Sequence, residues 1–155
     1  MYRRAGTGVL AAVLIALACV ASAAASVATY RAHVNGICRG YTPQLKQIEA
    51  DAKAAERTKN VAKVYYELGA GIGLGLREDA AVEAVPVPTG LASQMTPILR
   101  QLRTIDGHGR RLLTLARAGN LQGVLTESAT ITTLGRPLDG MLDRAGLADC
   151  GSKQS

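Results

Sequence analysis

Apolar and small residues recur along this chain at alternating four- and three-residue steps, and nothing else in it restricts the fold as tightly. The longest unbroken series is Leu91, Met95, Ile98, Leu102, Ile105, Gly109, Leu112 and Ala116. That spacing keeps returning to one side of an α-helix, so it predicts a helix over Leu91 to Ala118 with a single buried seam. Gly119-Asn120 then reads as a stop followed by an N-cap. Leu121, Val124, Ser128, Ile131, Gly135, Leu138, Leu142 and Ala145 predict the next helix, kinked near Thr133 by Pro137 and ended by Gly146. Upstream, Val34, Cys38, Tyr41, Leu45, Ile48, Ala52 and Ala55 keep one phase across Gly40 and Pro43, which predicts a kink there with Thr42 as a local N-cap.

A further helix is expected from Asn60 to Ala84, with Val61, Val64, Tyr65, Leu68, Ile72 and Leu76 on one side. Its middle alternates glycine, Gly69-Ala70-Gly71-Ile72-Gly73-Leu74-Gly75. No strand precedes it and no Gly-Lys-Ser or Gly-Lys-Thr follows, so it does not fit a phosphate-binding loop. Each glycine costs about 1 kcal/mol against alanine in a helix, which leaves a weakened helix whose small residues admit a close neighbour, or a melted or bent segment. Val85 to Gly90, with Pro86 and Pro88, is expected as an extended connector.

The compartment follows from the start of the chain. Val9 to Ala28 carries no charge and is preceded by Tyr2-Arg3-Arg4, the pattern of a secretory signal or a signal anchor with its basic end in the cytoplasm. Two outcomes are open. Ala21-Ser22-Ala23, Ala23-Ala24-Ala25 and Ser26-Val27-Ala28 each offer a small-x-small cleavage pattern, while twenty uncharged residues also match a bilayer span. Cys19 lies inside this run, and Ala16 stands where a lipoprotein signal has a large apolar residue three places upstream. The domains expected are therefore 1–28 as signal peptide or transmembrane anchor, 29–151 as an extracytoplasmic helical bundle, and 152–155 as a disordered tail.

Outside the membrane the only cysteines are Cys38 and Cys150, and in an oxidising space such a pair is most simply a disulfide, with free thiols or a metal site as the alternatives. The bond fixes the helix count. Short connectors reverse the chain at each turn, so three helices would leave the two cysteines at opposite ends, whereas a break near Thr58-Lys59-Asn60 gives four helices and brings them together. The expected fold is all-α: a signal or anchor helix followed by an antiparallel four-helix up-down bundle closed by one disulfide.

Short motifs agree with this. Asn35-Gly36-Ile37-Cys38 just after the apolar run, the Pro86-x-Pro88 connector, Ala116 to Asn120 at a helix junction and Gly146-Leu147-x-x-Cys150-Gly151 at the end resemble small exported helical proteins of high-GC Gram-positive bacteria. The resemblance implies a helical fold and a Cys38–Cys150 bond, and carries no assigned activity. The glycine-rich second helix departs from that group.

Charge and chemistry narrow the function. The chain has 18 basic and 12 acidic residues, and setting Arg3 and Arg4 aside leaves +4, too sparse a basic excess for a nucleic-acid binder. There is no Trp and no Phe, so the core is built from aliphatic residues and a few tyrosines. His33 and His108 have no partner at ligand spacing, no serine sits in a nucleophile elbow, and His108 is expected as an exposed helix residue. Acidic residues pair with basic ones along helices, as Glu49 with Lys53. No catalytic, cofactor or metal site is expected. One surface is patterned: Arg100, Arg103, Arg110 and Arg117 fall on one face, with Arg111 beside them and only Asp106 in the same segment to compensate. Its functional reading is an anionic partner, such as lipid headgroups, an anionic envelope polymer or an acidic protein. The expected function is thus a non-enzymatic envelope protein that binds a partner or anionic surface, secreted or anchored in the membrane through residues 9–28. The alternative is a carrier of a small ligand, haem or lipid, with the second-helix glycines leaving it room and Tyr30, His33, Tyr41, Tyr65, Tyr66 and His108 as candidate liners.

Overall fold

Four long helices make up most of the described chain: α1 (Val27–Arg57), α2 (Val61–Glu83), α3 (Ala92–Arg117) and α4 (Leu121–Arg144), with a 3-10 turn, Thr89–Leu91, leading into α3. The computed structural model describes residues 26–154. The run up to residue 25, Arg3, Arg4, Cys19 and the choice between cleavage and anchoring lie outside the described residues. None of the described helices is long and apolar enough to cross a membrane.

The first helix starts earlier than its periodicity suggested. Ser26 accepts the backbone N–H of Thr29 at 3.1 Å, which caps a helix beginning at Val27. Tyr30, Val34 and Cys38 then follow at four-residue steps and are all buried. Val27 and Ala28, assigned by sequence to the leader, thus form the first turn of a bundle helix. The expected N-cap at Thr42 is absent. α1 runs through Pro43, and the Thr42 hydroxyl donates back to the Cys38 carbonyl at 2.9 Å instead of capping. Proline removes one N–H, and the carbonyl it frees belongs to exposed Arg39, where water can replace the lost donor. α4 likewise continues through Pro137. α2 is an unbroken helix across its glycines.

The α1–α2 and α3–α4 turns are built alike. Asn60 N–H reaches the Ala55 carbonyl (2.9 Å) and Asn120 N–H that of Leu115 (3.0 Å), each closing a Schellman turn around a left-handed residue, Lys59 at φ 55° and Gly119 at φ 68°. Asn60 and Asn120 then cap α2 and α4 by accepting from Lys63 N and Gly123 N. Such tight turns fold each pair into a helical hairpin. Across α3 and α4 the contacts run in opposite order, with Gln101 donating to the Leu134 carbonyl and His108 meeting Glu127. Glycine admits the neighbour at two places: a methyl group on Gly71 would sit 3.4 Å from Ile48, and one on Gly109 3.3 Å from Ile72. Contact is closest within the hairpins, and α2 meets α3 more lightly.

The main core gathers at one end. Tyr30, Val34, Cys38, Val82, Leu91, Met95, Ile98, Leu102, Leu138, Leu142, Ala145 and Leu147 form one buried cluster, drawn from the start of α1, the end of α2, the first half of α3 and the end of α4. A Cys38–Cys150 disulfide lies within it, with Cα atoms 5.1 Å apart. Four helices and this bond agree with the cysteine-based helix count.

Candidate functional site

The disulfide end is fastened by polar groups as well. Asn35 lies one turn before Cys38 on the same face of α1, so both meet the segment after α4. Its Nδ2 donates to the Gly146 carbonyl at 3.0 Å and its Oδ1 accepts from Asp149 N at 3.1 Å. Arg31 Nε donates to the Ala145 carbonyl at 2.7 Å, and Arg39 pairs with Asp149 at 2.5 Å. Gly146 is left-handed (φ 79°), and a side chain there would strike Arg31. The Asn-x-x-Cys and Gly-Leu-x-x-Cys-Gly motifs are thus the two halves of one clasp. The expected disordered tail is corrected in part: residues 152–154 form turns, and Gln154 Nε2 donates to both carboxylate oxygens of Glu78.

Beside the clasp a cavity of about 210 Å³ is lined by Glu78, Asp79 and Asp139 together with apolar residues. Asp79 on α2 shares a side-chain hydrogen bond with Asp106 on α3. Burial first, then that bond and the negative charges of Asp106, Glu78 and Glu83, push Asp79 up to about 8. Glu78 is also raised by burial, with Gln154 pulling the other way, and Asp139 by burial and the charge of Asp143. Sequence reasoning missed this carboxyl pair because its members sit on different helices across the proline connector.

The arginine face is less bare than its sequence suggested. Arg103 donates to Glu83 of α2 at 3.1 Å, Arg111 reaches Glu127 of α4 at 3.3 Å, and Arg110 lies 3.9 Å from Asp106. Two of these carboxylates come from neighbouring helices, so counting within α3 alone overstated the excess charge. Arg100 and Arg117 are exposed and have no carboxylate partner among the described residues. His108 is also corrected. It is part-buried, its Nδ1 lies 2.5 Å from Glu127 Oε2, and this contact leads the effects that hold Glu127 below the usual carboxylate range. His33 is exposed while Tyr30, three residues before it, is buried, so the two do not line a common pocket. Among the described residues no three or more His, Cys, Asp or Glu are grouped to hold a metal ion.

The opposite end of the bundle is open. A crevice of about 410 Å³ separates the start of α2 from the start of α4, lined mainly by Val61, Val64, Leu68, Leu121, Val124 and Leu125, with Tyr65 beside them. Glu56, Lys59 and Ser128 are its polar lining. Val61, Leu121 and Leu125 are 63%, 54% and 56% exposed, and with Tyr66 they are the exposed large apolar residues of the described chain. A second trough of about 530 Å³ lies next to it between α1 and α2, with Glu56, Val64 and Leu68 lining both, and reaches Leu45, Ile48 and Ile72. Seam positions Leu45, Ile48 and Ala52 are only half-buried as a result. The clue lay in α4, whose seam carries Ser128 where a bulky side chain would have helped to fill the crevice. Room for a ligand thus lies mostly ahead of the glycines, since Gly71 and Gly109 are taken up by the packing of Ile48 and Ile72.

No family model matches this chain, and neither a curated protein nor a solved structure does.

Proposed function

We propose that residues 29–151 work outside the cytoplasm as a non-enzymatic binding domain, either released or held at the membrane by residues 9–28, and that they take an apolar partner at the open end of the bundle. The observation that carries this is the crevice. Three large apolar side chains stay exposed in one groove, and apolar concavities of this size are the usual form of ligand sites. Export is supported by the basic start, the uncharged run and a bonded cysteine pair. The polar groups nearest to chemistry are engaged with one another, His108 with Glu127 and Asp79 with Asp106, in the manner of structural pairs.

The location is tested by fractionating the host and sequencing the N-terminus of the recovered protein; recovery from the cytoplasm with residues 1–28 intact rejects export. The open end is tested with an apolar fluorescent dye, which should bind and be lost on Leu125→Glu. The arginine face gives the competing anionic-surface reading. Retention on anionic liposomes or cell wall that disappears on charge reversal of Arg103, Arg110 and Arg117, with dye binding unchanged, would move the working surface there. Carriage of haem or lipid is the second reading, favoured by the same crevice. Haem added to the purified protein without change in absorbance ends its haem version.

A further inference from the structure

We propose that Cys38–Cys150 is a gated redox site, reduced by a small uncharged dithiol that enters through the cavity the bond lines, and that the proton shared by Asp79 and Asp106 holds this entrance shut. The site lies at the other end of the bundle from the crevice and does not depend on it.

Every helix and the tail contribute to the cavity of about 210 Å³: Cys38 on α1, Asp79 on α2, Ile105 on α3, Gly135 on α4, and Cys150 and Gln154 after it. The disulfide is therefore part of a wall and is not sealed among packed side chains. Gly135 keeps the space open. It shares a face of α4 with Leu138 and Leu142, and a methyl group on it would meet no atom within 4 Å. Cys38 is buried and Cys150 half-buried, so a reductant arriving there meets the Cys150 sulfur. The tail crosses this region as a strap: Ser152 N donates to Asp143 Oδ1 of α4 at 3.3 Å, and Gln154 Nε2 donates to Glu78 of α2 at 2.9 and 3.1 Å.

The carboxyl pair fastens the same region. Two carboxylates cannot share a hydrogen bond, so the one between Asp79 and Asp106 requires a proton. Arg110, 3.9 Å from Asp106, favours the charge there and leaves the proton on Asp79. Asp79 faces Glu78 and Glu83 on its own helix, the latter paired with Arg103, then Asp106 on α3 and, across the cavity, Asp139 on α4. From α1 and the tail the cavity receives only the disulfide and the uncharged Gln154, and no Lys, Arg or His among the described residues lines it. Loss of the proton thus sets a new negative charge beside Asp106, Glu78 and Asp139 with no cation in the cavity to answer it. It does so where α2 meets α3, a lighter contact than those within the hairpins. α2 then draws back, carrying Glu78 and the strap's anchor with it, and the cavity opens.

The chemistry is thiol exchange. One thiolate of the dithiol attacks the Cys150 sulfur, and Cys38 leaves as a thiolate that takes up a proton. The second thiolate displaces Cys150, which is protonated in turn, and the reductant departs as its own cyclic disulfide, having given two electrons to the bond. The clasp then rests on Asn35, Arg31 and Arg39 alone.

The full chain, purified from the host fraction that holds it, is reduced with dithiothreitol in native buffer between about pH 6 and pH 9, and free thiols are counted by alkylation and intact mass. Each rate is divided by that of Asp79→Asn at the same pH, which cancels the ionisation of the reductant; asparagine keeps a donor for Asp106 throughout. An opening that releases one proton should raise this ratio roughly tenfold per pH unit until Asp79 titrates in the closed form, near 8, and leave it flat above. A ratio independent of pH overturns the gate. Gly135→Leu should fill the cavity and slow reduction severalfold at every pH, while melting at or above the parent temperature because it replaces a helical glycine; unslowed reduction in that folded variant overturns the entrance. Urea tests the route without a variant. At about 1 M it should change the parent's rate by less than roughly twofold, since a local opening exposes little surface, and a rise of roughly fivefold or more means that reduction waits for global unfolding and overturns the entrance as well.

Discussion

The two ends of this bundle solve opposite problems with the same helices. At one end Asn35, Arg31 and Arg39 bind the last turns of the chain to α1, a disulfide seals the join, and twelve residues pack into a single buried cluster. At the other, two near-identical turns expose Val61, Leu121 and Leu125 to a groove that no side chain fills. The difference shows how a small aliphatic domain can carry an open apolar site: stability is concentrated far from it, so the site need not contribute.

That division can be broken by experiment, beginning with the bond. Replacing Cys38 and Cys150 by serine should lower unfolding free energy by about 5 kcal/mol, a loop-closure figure for a separation of 112 residues, read by chemical denaturation. Asn35→Ala removes two hydrogen bonds from the clasp and should cost about 2 kcal/mol by the same measurement. A loss below the error of the fit would show that the bond alone holds this end.

Asp79→Asn acts in the other direction and depends on pH. The folded carboxyl titrates near 8 and the unfolded one near 4. Below about 4 both states hold the proton and its burial carries no penalty of ionisation. As pH rises toward 8 the unfolded chain has released a proton that the fold retains, so this group's stability is lost through that window and is gone above it. Asparagine imitates the neutral acid, so the variant should gain several kcal/mol over the parent at pH 8 and little at pH 4. An equal difference at both values would remove the carboxyl pair from the account.

Tyr30→Phe should gain about 1 kcal/mol, because the buried Tyr30 hydroxyl has no hydrogen-bond partner in the described structure. A loss on thermal melting would reveal a partner for that hydroxyl. The smallest effect belongs to the open end: Val61→Ser and Leu125→Ser should change stability by less than about 0.5 kcal/mol, as at other exposed sites. A larger loss would mean that these side chains support the fold and are not reserved for a ligand.

Much of the framework was legible in the sequence, and the limits are physical. The seam in α3 marked Leu91, Met95, Ile98, Leu102 and Leu112, all buried, because helical spacing is a local property. Asn120 announced its cap for the same reason. The start of α1 was obscured, since Val27 and Ala28 suit a leader and a bundle helix equally well. The partners of Arg103, Arg111 and His108 were not legible, for Glu83 and Glu127 arrive from other helices. The crevice left only a negative trace, the small Ser128 in the seam of α4.

The position of the disulfide in the chain also sets how the molecule bears load. Of the described residues only 26–37 and 151–154 lie outside the covalent loop. Tension applied between the termini passes straight from α1 to the tail through Cys38 and Cys150. It can draw out those flanking twelve and four residues, about 40 Å and 14 Å of extended chain. The two turns and the crevice between them sit inside the loop and are shielded from the pull. A molecule tugged by its ends should yield in two short steps and then stiffen, and it should lengthen further only after the bond has been reduced.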